Sequence, residues 1–425
     1  MFGVNYNHSI DYTQKLANLG GVKDRAIERL IKAERARQKW VINLIPSENY
    51  VSKDVLSALG SELNNKYAEG YPGKRYYGGN AVVDEVERLC QKRALKLFKL
   101  SPDEWAVNVQ PLSGSPANLA VYLALFGPHF AEASRGKKIM GMSLDHGGHL
   151  THGHKVSITG RIFEQIPYGV SKETETLDYE ELKKIARANK PDVIVAGYTA
   201  YPRIIDWAKM WEVVTSFKPR PLFMVDMSHF AGLVAGGVYP SPFKYADVVT
   251  TTTHKTLRGP RSALIFTRKH PETDFEKRID RAVFPGLQGG PHLNQIAAVA
   301  VALQEATRPE FRKYAKQIVK NAKALGNELQ KLGWRLVSGG TDSHLLLVDT
   351  WSPPTGGGKG IGGKEASDKL EKAGIIVNKN MIPFDTRTAV DPSGIRLGTP
   401  AETTRGKKEK DMVAIGRKID KILRA

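Results

Sequence analysis

Short apolar segments rich in β-branched residues alternate along this chain with longer amphipathic segments, and this alternation constrains the fold more than any other feature. Runs such as 192–198 (DVIVAGY) and 247–253 (DVVTTTT) are typical of strands that are buried on both faces. Segment 177–190 (LDYEELKKIARANK) repeats its apolar residues with helical spacing. Strands that alternate with helices predict an α/β fold with a mostly parallel central sheet. Further predicted strands are 41–46, 106–110, 138–144, 221–227 and 262–267, and further helices are 115–126 and 206–217.

The strand pattern starts again after a long helical segment at 293–333, for example in 394–400 (GIRLGTP). A chain of 425 residues is long enough for one large core and a smaller second domain. The predicted parts are an N-terminal arm and helix (1–40), a large domain (41–300) and a small C-terminal α/β domain (301–425).

The composition is that of a globular chain, with 41% hydrophobic and 25% charged residues. No apolar run approaches the roughly 20 residues needed to cross a bilayer, and the N-terminus lacks the basic and apolar regions of a signal peptide. The single cysteine, Cys90, rules out an intrachain disulfide and fits a reducing compartment. We therefore expect a cytoplasmic protein without a membrane segment.

The formal net charge of +19 favours anionic ligands. The basic residues are spread over predicted helical surfaces and are not interleaved with the aromatic side chains of a nucleic-acid stacking platform. We interpret the charge as favouring solubility and small anionic substrates; RNA binding is compatible with the charge but is not expected as the main role.

One lysine stands where a predicted strand ends. The run 248–261 (VVTTTTHKTLRGPR) passes from β-branched residues through hydroxyls to Lys255 and then breaks at Gly259-Pro260. An amine fixed at the end of a strand is suited to form a Schiff base with a carbonyl cofactor.

The segment 110–118 (QPLSGSPAN) follows a predicted strand and opens a helix. We expect Ser115 to cap this helix, with Pro116 in its first position. The free N–H groups of a helix start and the serine hydroxyls favour a bound phosphate, because Gly114 lets an anion approach the backbone. Helix capping alone is the alternative interpretation.

Two charged residues lie in predicted strands that are otherwise apolar. Asp226 ends the run 221–227, and a buried carboxylate is costly unless it is paired with a cation such as a pyridinium nitrogen. A capping or backbone-bonded aspartate is the alternative. Arg396 lies between glycines in SGIRLGTP, where its guanidinium is suited to a bidentate carboxylate contact. The alternative is an ordinary arginine on a surface strand.

Four histidines fall within residues 145–154 (DHGGHLTHGH), which raises the question of a metal site. The spacing is loop-like and matches no metal-binding signature such as HExxH. A single imidazole stacked on a planar cofactor is the favoured interpretation, and no metal is expected.

Taken together, these segments resemble serine hydroxymethyltransferase, a family of pyridoxal-phosphate enzymes of fold type I. The resemblance covers almost the whole chain and follows the family's order. It is carried by 44–50 (LIPSENY), 64–79 (NNKYAEGYPGKRYYGG), 108–118 (NVQPLSGSPAN), 145–153 (DHGGHLTHG), 225–242 (VDMSHFAGLVAGGVYPSP), 248–261, 284–291 (FPGLQGGP), 338–349 (SGGTDSHLLLVD), 377–383 (VNKNMIP) and 393–406 (SGIRLGTPAETTRG).

The resemblance implies a cofactor site. Lys255 would form a Schiff base with pyridoxal 5'-phosphate, Asp226 would pair with the pyridine nitrogen, and His149 would stack on the ring. The resemblance further implies phosphate contacts from Ser113, Gly114, Ser115 and His254 and, in the neighbouring subunit, Tyr67 and Gly290, with His229, Thr199 and Thr252 also at the site. Thr199 stands where a serine is usual, and Pro116 where glutamine is common.

The resemblance also implies a substrate site shared between the subunits of a homodimer. Arg396, Ser47 and the neighbouring subunit's Tyr77 would hold the amino acid carboxylate. Glu69, also from the neighbour, would be the acid/base group and contact the folate. The positions that would contact the pterin are Leu144, Gly148, Leu150 and Asn380.

The implied reaction is the reversible conversion of L-serine and tetrahydrofolate to glycine and 5,10-methylenetetrahydrofolate. The alternatives are another fold type I enzyme, such as a threonine aldolase or an amino acid transferase, and a histidine-cluster metal hydrolase. The sequence leaves open whether the carrier is tetrahydrofolate or a modified pterin, and whether the assembly is a dimer or a tetramer.

Overall fold

The computed structural model of the chain describes residues 22–126, 136–270, 272–355, 357 and 359–425. The predicted N-terminal arm therefore falls partly outside the described residues. The chain divides into two compact units, residues 1–42 and 43–425. In the first unit, the Asp24 side chain accepts hydrogen bonds from the N–H groups of Ala26 and Ile27 and so caps a helix over 25–40, none of whose residues is buried.

Fourteen α-helices are present among the described residues. They are α1 (Arg25–Trp40), α2 (Lys53–Leu59), α3 (Ala81–Leu97), α4 (Gly114–Phe126), α5 (Ile158–Ile162), α6 (Tyr179–Asn189), α7 (Trp207–Thr215), α8 (Ala231–Ala235), α9 (Phe275–Arg281), α10 (Leu293–Ala306), α11 (Pro309–Lys331), α12 (Gly363–Lys372), α13 (Pro400–Thr404) and α14 (Glu409–Arg424).

The same residues contain fifteen short strands. They are β1 (Ile42–Asn43), β2 (Gly70–Tyr71), β3 (Lys74–Arg75), β4 (Trp105–Asn108), β5 (Lys138–Met142), β6 (Glu164–Tyr168), β7 (Val193–Gly197), β8 (Leu222–Asp226), β9 (Val248–Thr252), β10 (Ala263–Arg268), β11 (Arg335–Leu336), β12 (Leu345–Asp349), β13 (Ile375–Ile376), β14 (Asn378–Asn380) and β15 (Gly394–Gly398).

A seven-stranded sheet in the order β4-β10-β9-β8-β7-β5-β6 forms the centre of the larger unit. Strands β5 to β9 pair in parallel, and β10 runs antiparallel to both β4 and β9. The prediction of an α/β fold with a mostly parallel central sheet is therefore confirmed, and the carboxyl ends of β5, β7, β8 and β9 meet at one edge.

Both faces of this sheet are covered by apolar side chains. Every residue of β7 and β9 is buried, as their continuous β-branched composition predicts. Successive residues point to opposite faces, so Ile194 belongs to one hydrophobic cluster while Val193 and Val195 belong to another. This double burial fixes the strand ends, and therefore the polar residues that follow them.

A second sheet, in the order β11-β12-β15-β14, is antiparallel throughout. Its strand β15 carries Arg396, which pairs in register with Leu347 of β12 and with Asn378 of β14. A small apolar cluster of Ala200, Val337, Leu347 and Ile382 joins this sheet to the loop after β7.

The structure differs from the sequence prediction at four places. The predicted strand 41–46 is limited to β1 (Ile42–Asn43), which is not part of the seven-stranded sheet. Strand β6 was not predicted, because its sequence EQIPY contains a proline and two polar residues, which an edge strand tolerates. The prediction that Ser115 caps α4 is wrong, because the helix starts at Gly114 and the N–H of Ala117 bonds to the carbonyl of Ser113. The helical segment 293–333 is two helices, with Pro309 at the start of α11.

Among the residues that the structure describes, no helix combines the length and the apolar character that a bilayer crossing needs.

Candidate active site

Residues at the carboxyl ends of the parallel strands surround a cavity of about 350 Å³. This volume lies within the roughly 300–1,000 Å³ typical of small-molecule sites. The cavity is lined by Ser47, Glu48, Ser113, Gly114, Ser115, His149, Tyr198, Thr199, Asp226, Ser228, His229, Thr252, His254, Lys255, Arg261 and Arg396. Twelve of the sequence-predicted site residues are in this lining: Ser47, Ser113, Gly114, Ser115, His149, Thr199, Asp226, His229, Thr252, His254, Lys255 and Arg396.

Lys255 lies just beyond the end of β9, and its amine points into the cavity. The Nζ atom donates to the Thr252 hydroxyl at 3.3 Å, and among the described residues it forms no ion pair. Burial lowers the pKa of Lys255 to about 8, although the charge of Asp226 opposes this shift. A substantial fraction of this amine is therefore neutral near physiological pH, which a nucleophilic lysine requires.

Gly114 allows the helix start to approach the end of β9 closely. A Cβ atom on Gly114 would lie 2.7 Å from Cγ2 of Thr252. Thr252 is itself fixed, since its N–H donates to the Ser228 hydroxyl at 3.0 Å. The close approach keeps the serine turn beside the lysine.

Asp226, at the end of β8, is buried and bonded to three donors. Its carboxylate accepts from the Asn118 amide at 2.9 Å, from Ser228 N–H at 3.0 Å and, more weakly, from His152 Nε2 at 3.4 Å. Burial raises the pKa of this carboxyl, but the hydrogen bonds from His152 and Ser228 outweigh burial and leave the pKa well below its ordinary value. Asp226 is therefore a carboxylate that keeps its negative charge inside the cavity.

His149 follows the turn after β5 and is neutral. Burial and the neighbouring His152 lower the pKa of His149 to about 4. Its Nδ1 accepts from Thr151 N–H at 3.2 Å and lies 2.7 Å from the Thr151 hydroxyl. Because Nδ1 is an acceptor, the hydrogen-bond network assigns the ring proton to Nε2.

His229, in the cavity lining, stacks on a second histidine that is not part of the lining. The rings of His229 and His344 are 5.3 Å apart, and Nδ1 of His229 lies 3.1 Å from Nε2 of His344. Burial lowers the pKa of His344 to about 3 and the pKa of His229 well below its ordinary value. Both rings are therefore neutral at physiological pH, and one donates a hydrogen bond to the other.

Arg396 brings a buried positive charge to the cavity from the second sheet. Its guanidinium donates to the Thr199 carbonyl at 2.7 Å and to Oδ1 of Asn378 at 2.8 Å. It is 6% exposed, which excludes the surface-strand interpretation, and burial lowers its pKa to about 10. No carboxylate among the described residues forms an ion pair with it, so it is available to a carboxylate ligand.

Another part of the cavity lining suits a phosphate. Ser113, Gly114 and Ser115 form the start of α4, where N–H groups have no partner within the helix. The buried Nδ1 of His254 has no hydrogen-bond partner among the described residues, and Arg261 also lines the cavity. Burial and the charges of Lys255 and Arg261 lower the pKa of His254 to about 3, so Arg261 carries the positive charge of this pair of residues.

Four predicted residues lie together elsewhere in the chain. The Tyr67 hydroxyl donates to Oε1 of Glu69 at 3.1 Å, and the Tyr67 and Tyr77 rings meet edge to face at 5.2 Å. A Cβ on Gly290 would lie 3.2 Å from the Tyr67 ring. None of these four, all of them within the described ranges, belongs to the lining of the cavity that holds Lys255.

The predicted pterin positions come from two elements. Leu144, Gly148 and Leu150 belong to the turn after β5, in which Gly148 N–H bonds to the Ser143 carbonyl at 2.8 Å. A Cβ on Gly148 would lie 1.9 Å from the Met142 carbonyl oxygen, so only glycine fits there. Asn380 ends β14 in the second sheet, away from the turn in sequence.

The sequence did not single out Asn118, which links several parts of the site. Its amide donates to Asp226 and to the Thr151 hydroxyl, each at 2.9 Å, and its carbonyl oxygen accepts from Thr250 at 2.7 Å. The sequence did contain a feature that could have identified Asn118. It follows Gly114 by one helical turn and so faces the same side of α4 as the predicted phosphate turn. The lining residues that were not predicted are Glu48, Tyr198, Ser228 and Arg261.

The histidine-rich segment forms no metal site that the structure describes. Among the described residues, no group of three or more histidine, cysteine, aspartate or glutamate side chains is arranged to hold a metal ion. His152 and His149 instead contact Asp226 and Thr151.

Comparison with known proteins agrees with this geometry. The family model of serine hydroxymethyltransferase matches residues 21–419. A serine hydroxymethyltransferase of Desulfotalea psychrophila is 51% identical over 401 residues, which cover 94% of this chain and 89% of the relative. A cytosolic serine hydroxymethyltransferase of Candida glabrata is 50% identical over 417 residues, which cover 94% of this chain and 86% of the relative. A serine hydroxymethyltransferase of Koribacter versatilis is 51% identical over 394 residues, which cover 93% of this chain and 87% of the relative. The chain therefore belongs to the serine hydroxymethyltransferase family, whose fold type I enzymes use pyridoxal 5'-phosphate to interconvert serine and glycine with tetrahydrofolate as co-substrate.

Proposed function

We propose that this chain converts L-serine and tetrahydrofolate to glycine and 5,10-methylenetetrahydrofolate, with Lys255 as the residue that binds pyridoxal phosphate covalently. The observation that carries the assignment is a lysine with a pKa of about 8 in the same cavity as the ionised Asp226. When bound, the cofactor supplies an electron sink for the negative charge left on the substrate Cα.

The residues of the cavity fit this cofactor. Asp226 would hold a proton on the pyridine nitrogen, since three donors stabilise its negative charge. The neutral ring of His149 would lie against the cofactor ring. The start of α4, with His254, Thr199 and His229 nearby, supplies donors for the phosphate and for the ring substituents.

Arg396 would bind the carboxylate of serine or glycine, together with Ser47. Its two hydrogen bonds to Thr199 and Asn378 hold the guanidinium plane before substrate arrives. This contact orients the bond to be broken at Cα and places the hydroxymethyl group in a defined position.

Glu69 would exchange the proton that moves during cleavage of the hydroxymethyl group. It does not line the cavity that holds Lys255 in the same chain. It lies beside Tyr67 and Tyr77, which are exposed, while Glu69 itself and Gly290 are half-buried. We therefore propose a homodimer in which each subunit lends these four residues to the other's cavity, with a tetramer built from two such dimers as the alternative assembly.

The pterin of the folate would contact Leu144, Gly148, Leu150 and Asn380. The turn that carries the first three also carries His149, so the pterin and the cofactor would be neighbours. His146 of this turn contacts Phe384 beyond β14, with ring centroids 4.6 Å apart, which supports a link between the two elements.

We propose the division into an arm (1–40), a large domain (41–300) and a small domain (301–425). All strands of the seven-stranded sheet fall in the second range and all strands of the four-stranded sheet in the third. We also propose a cytoplasmic location, because the Candida glabrata relative is named as a cytosolic enzyme.

Borohydride trapping followed by peptide mass spectrometry tests the cofactor site. The cofactor should be fixed on the peptide that contains Lys255 and absent from the Lys255→Arg variant. Label on another lysine would overturn the assignment.

Serine cleavage assayed without folate, with tetrahydrofolate and with a modified pterin tests the reaction. Activity should depend on a reduced pterin, and the preferred pterin identifies the carrier. Cleavage at full rate without any pterin would indicate an aldolase instead.

A further inference from the structure

The guanidinium of Arg75 holds the backbone on both sides of Glu69. Its NH1 group donates to the carbonyl of Ala68 at 2.9 Å and to the carbonyl of Gly70 at 2.6 Å. The N–H of Tyr76 adds a bond to the carbonyl of Glu69 itself at 3.1 Å. All three peptide oxygens around this carboxylate are therefore fixed by one end of the β2–β3 hairpin.

Two acids of α3 fix the guanidinium in turn. Its Nε bonds to Asp84 at 2.9 Å and its NH2 to Glu87 at 2.6 Å. The side chains of Arg75 and Glu87 are 3% and 0% exposed, so water does not compete for these bonds. One rigid guanidinium thus joins a helix of the large unit to the two carbonyls that flank Glu69.

Other contacts make the hairpin a rigid part of the same structure. Gly70 has a φ of +92°, and a Cβ there would lie 2.4 Å from the Lys74 carbonyl oxygen, so the backbone after Glu69 is held in a turn that needs glycine. Gln110, at the end of the strand that leads to the serine turn, donates to the Gly70 carbonyl at 3.0 Å and to Glu87 at 2.9 Å.

We propose that Arg75 is a positioning residue for Glu69: through the carbonyls of Ala68 and Gly70 it sets where the acid/base carboxylate points. The inference rests on the proposed function of Glu69. Lysine at this position keeps the positive charge. Its single ammonium group cannot bond to two carbonyls and two carboxylates at once, as the planar guanidinium with its three nitrogens does. The carboxylate would then be misplaced, which is expected to lower kcat by about 10- to 100-fold.

A double-mutant cycle on the holoenzyme tests the proposal, with the variants R75K, E69Q and R75K/E69Q. We expect R75K to lower kcat while leaving the KM for serine and the affinity for pyridoxal phosphate within about threefold, because Lys255 and Arg396 lie in a separate cavity of the chain. If Arg75 acts through Glu69, R75K should cause no further loss of kcat in the E69Q background.

Three results overturn the proposal: an unchanged kcat in R75K, the same fold-loss in both backgrounds, or a loss confined to cofactor affinity. A wild-type kcat in E69Q shows instead that the role proposed for Glu69 itself fails, and the inference falls with it. The matched control is R88K, since Arg88 lies 3.8 Å from Asp84 but is mostly exposed, and it should leave kcat unchanged.

Thermal unfolding of each variant separates positioning from loss of fold. If R75K does not fold, the cycle is run with E87Q, which keeps an acceptor for Arg75 but removes the charge that orients it. The expected loss of kcat is smaller and should again vanish in the E69Q background, and equal loss in both backgrounds overturns the proposal.

Discussion

The side-chain amide of Asn118 donates a 2.9 Å hydrogen bond to the carboxylate of Asp226. The same amide donates to Thr151, whose hydroxyl lies 2.7 Å from Nδ1 of His149. One residue of α4 therefore orients both the carboxylate at the end of β8 and the imidazole after β5. These are the two groups proposed to contact the cofactor ring.

The Asn118→Ala change should reduce kcat about tenfold, because a buried carboxylate that loses one hydrogen bond is destabilised by about 1–3 kcal/mol. Asn118→Asp should be worse, since a second carboxylate beside Asp226 raises its pKa and weakens its hold on a ring proton. Steady-state kinetics and the pH dependence of the bound cofactor's absorbance measure both effects. Asn189→Ala, at the end of α6, is the control; equal kcat in all three variants would contradict the prediction.

Cofactor capture should depend on pH in a defined direction. The amine of Lys255 must be neutral to attack an aldehyde, and its pKa is lowered from 10.5 to about 8. The rate at which cofactor-free protein binds pyridoxal phosphate should therefore rise with pH and level off above about 8. Stopped-flow absorbance measures the rate. The same measurement with Nα-acetyl-lysine, whose side-chain amine has an ordinary pKa, corrects for ionisation of the cofactor. A rate that keeps rising to pH 10 in both would refute a lowered pKa.

The Arg396→Lys change should raise the KM for serine by about 10- to 100-fold, which corresponds to the loss of a charge-assisted bidentate contact of about 1.5–3 kcal/mol. Affinity for pyridoxal phosphate should stay the same, because Arg396 bonds to the main-chain carbonyl of Thr199, not to its hydroxyl, and to the side chain of Asn378. Titration with serine and with cofactor separates the two. Arg387→Lys, which alters an arginine stacked on Trp351, is the matched control and should leave KM unchanged.

The Gly114→Ala change should weaken cofactor binding and destabilise the fold by about 1–3 kcal/mol through overpacking. The new methyl group would lie 2.7 Å from Thr252, which must move together with its hydrogen bond to Lys255. Urea unfolding and cofactor titration test this. Gly60→Ala, where the nearest heavy atom is 3.7 Å away, should change neither quantity; a similar loss in both variants would argue against the packing explanation.

The sequence allowed part of the lining to be predicted, because the end of a strand is recognisable where an apolar run gives way to polar residues, glycine or proline. Lys255 follows a β-branched run and precedes Gly259-Pro260, and Asp226 ends an apolar run, so their places at one sheet edge follow from the parallel order of strands. The family resemblance supplied the roles of the remaining predicted residues, and these roles remain proposals. They are those of Ser47, Thr199, His229, Thr252 and His254 in the lining and of Tyr67, Glu69, Tyr77 and Gly290 outside it.

The sequence by itself determined the alternation of strands and helices, the strand ends and the residues placed there. Apolar periodicity and the glycine, proline and polar residues that end a strand are local properties of the chain. Tertiary structure decided the contacts between residues that are distant in sequence. Asn118 meets Asp226, His229 meets His344, and Arg75 meets Glu87 only because helices and strands pack on one another. Tertiary structure also decided the pKa shifts, since packing rather than residue type sets the burial and the charged neighbours of each group.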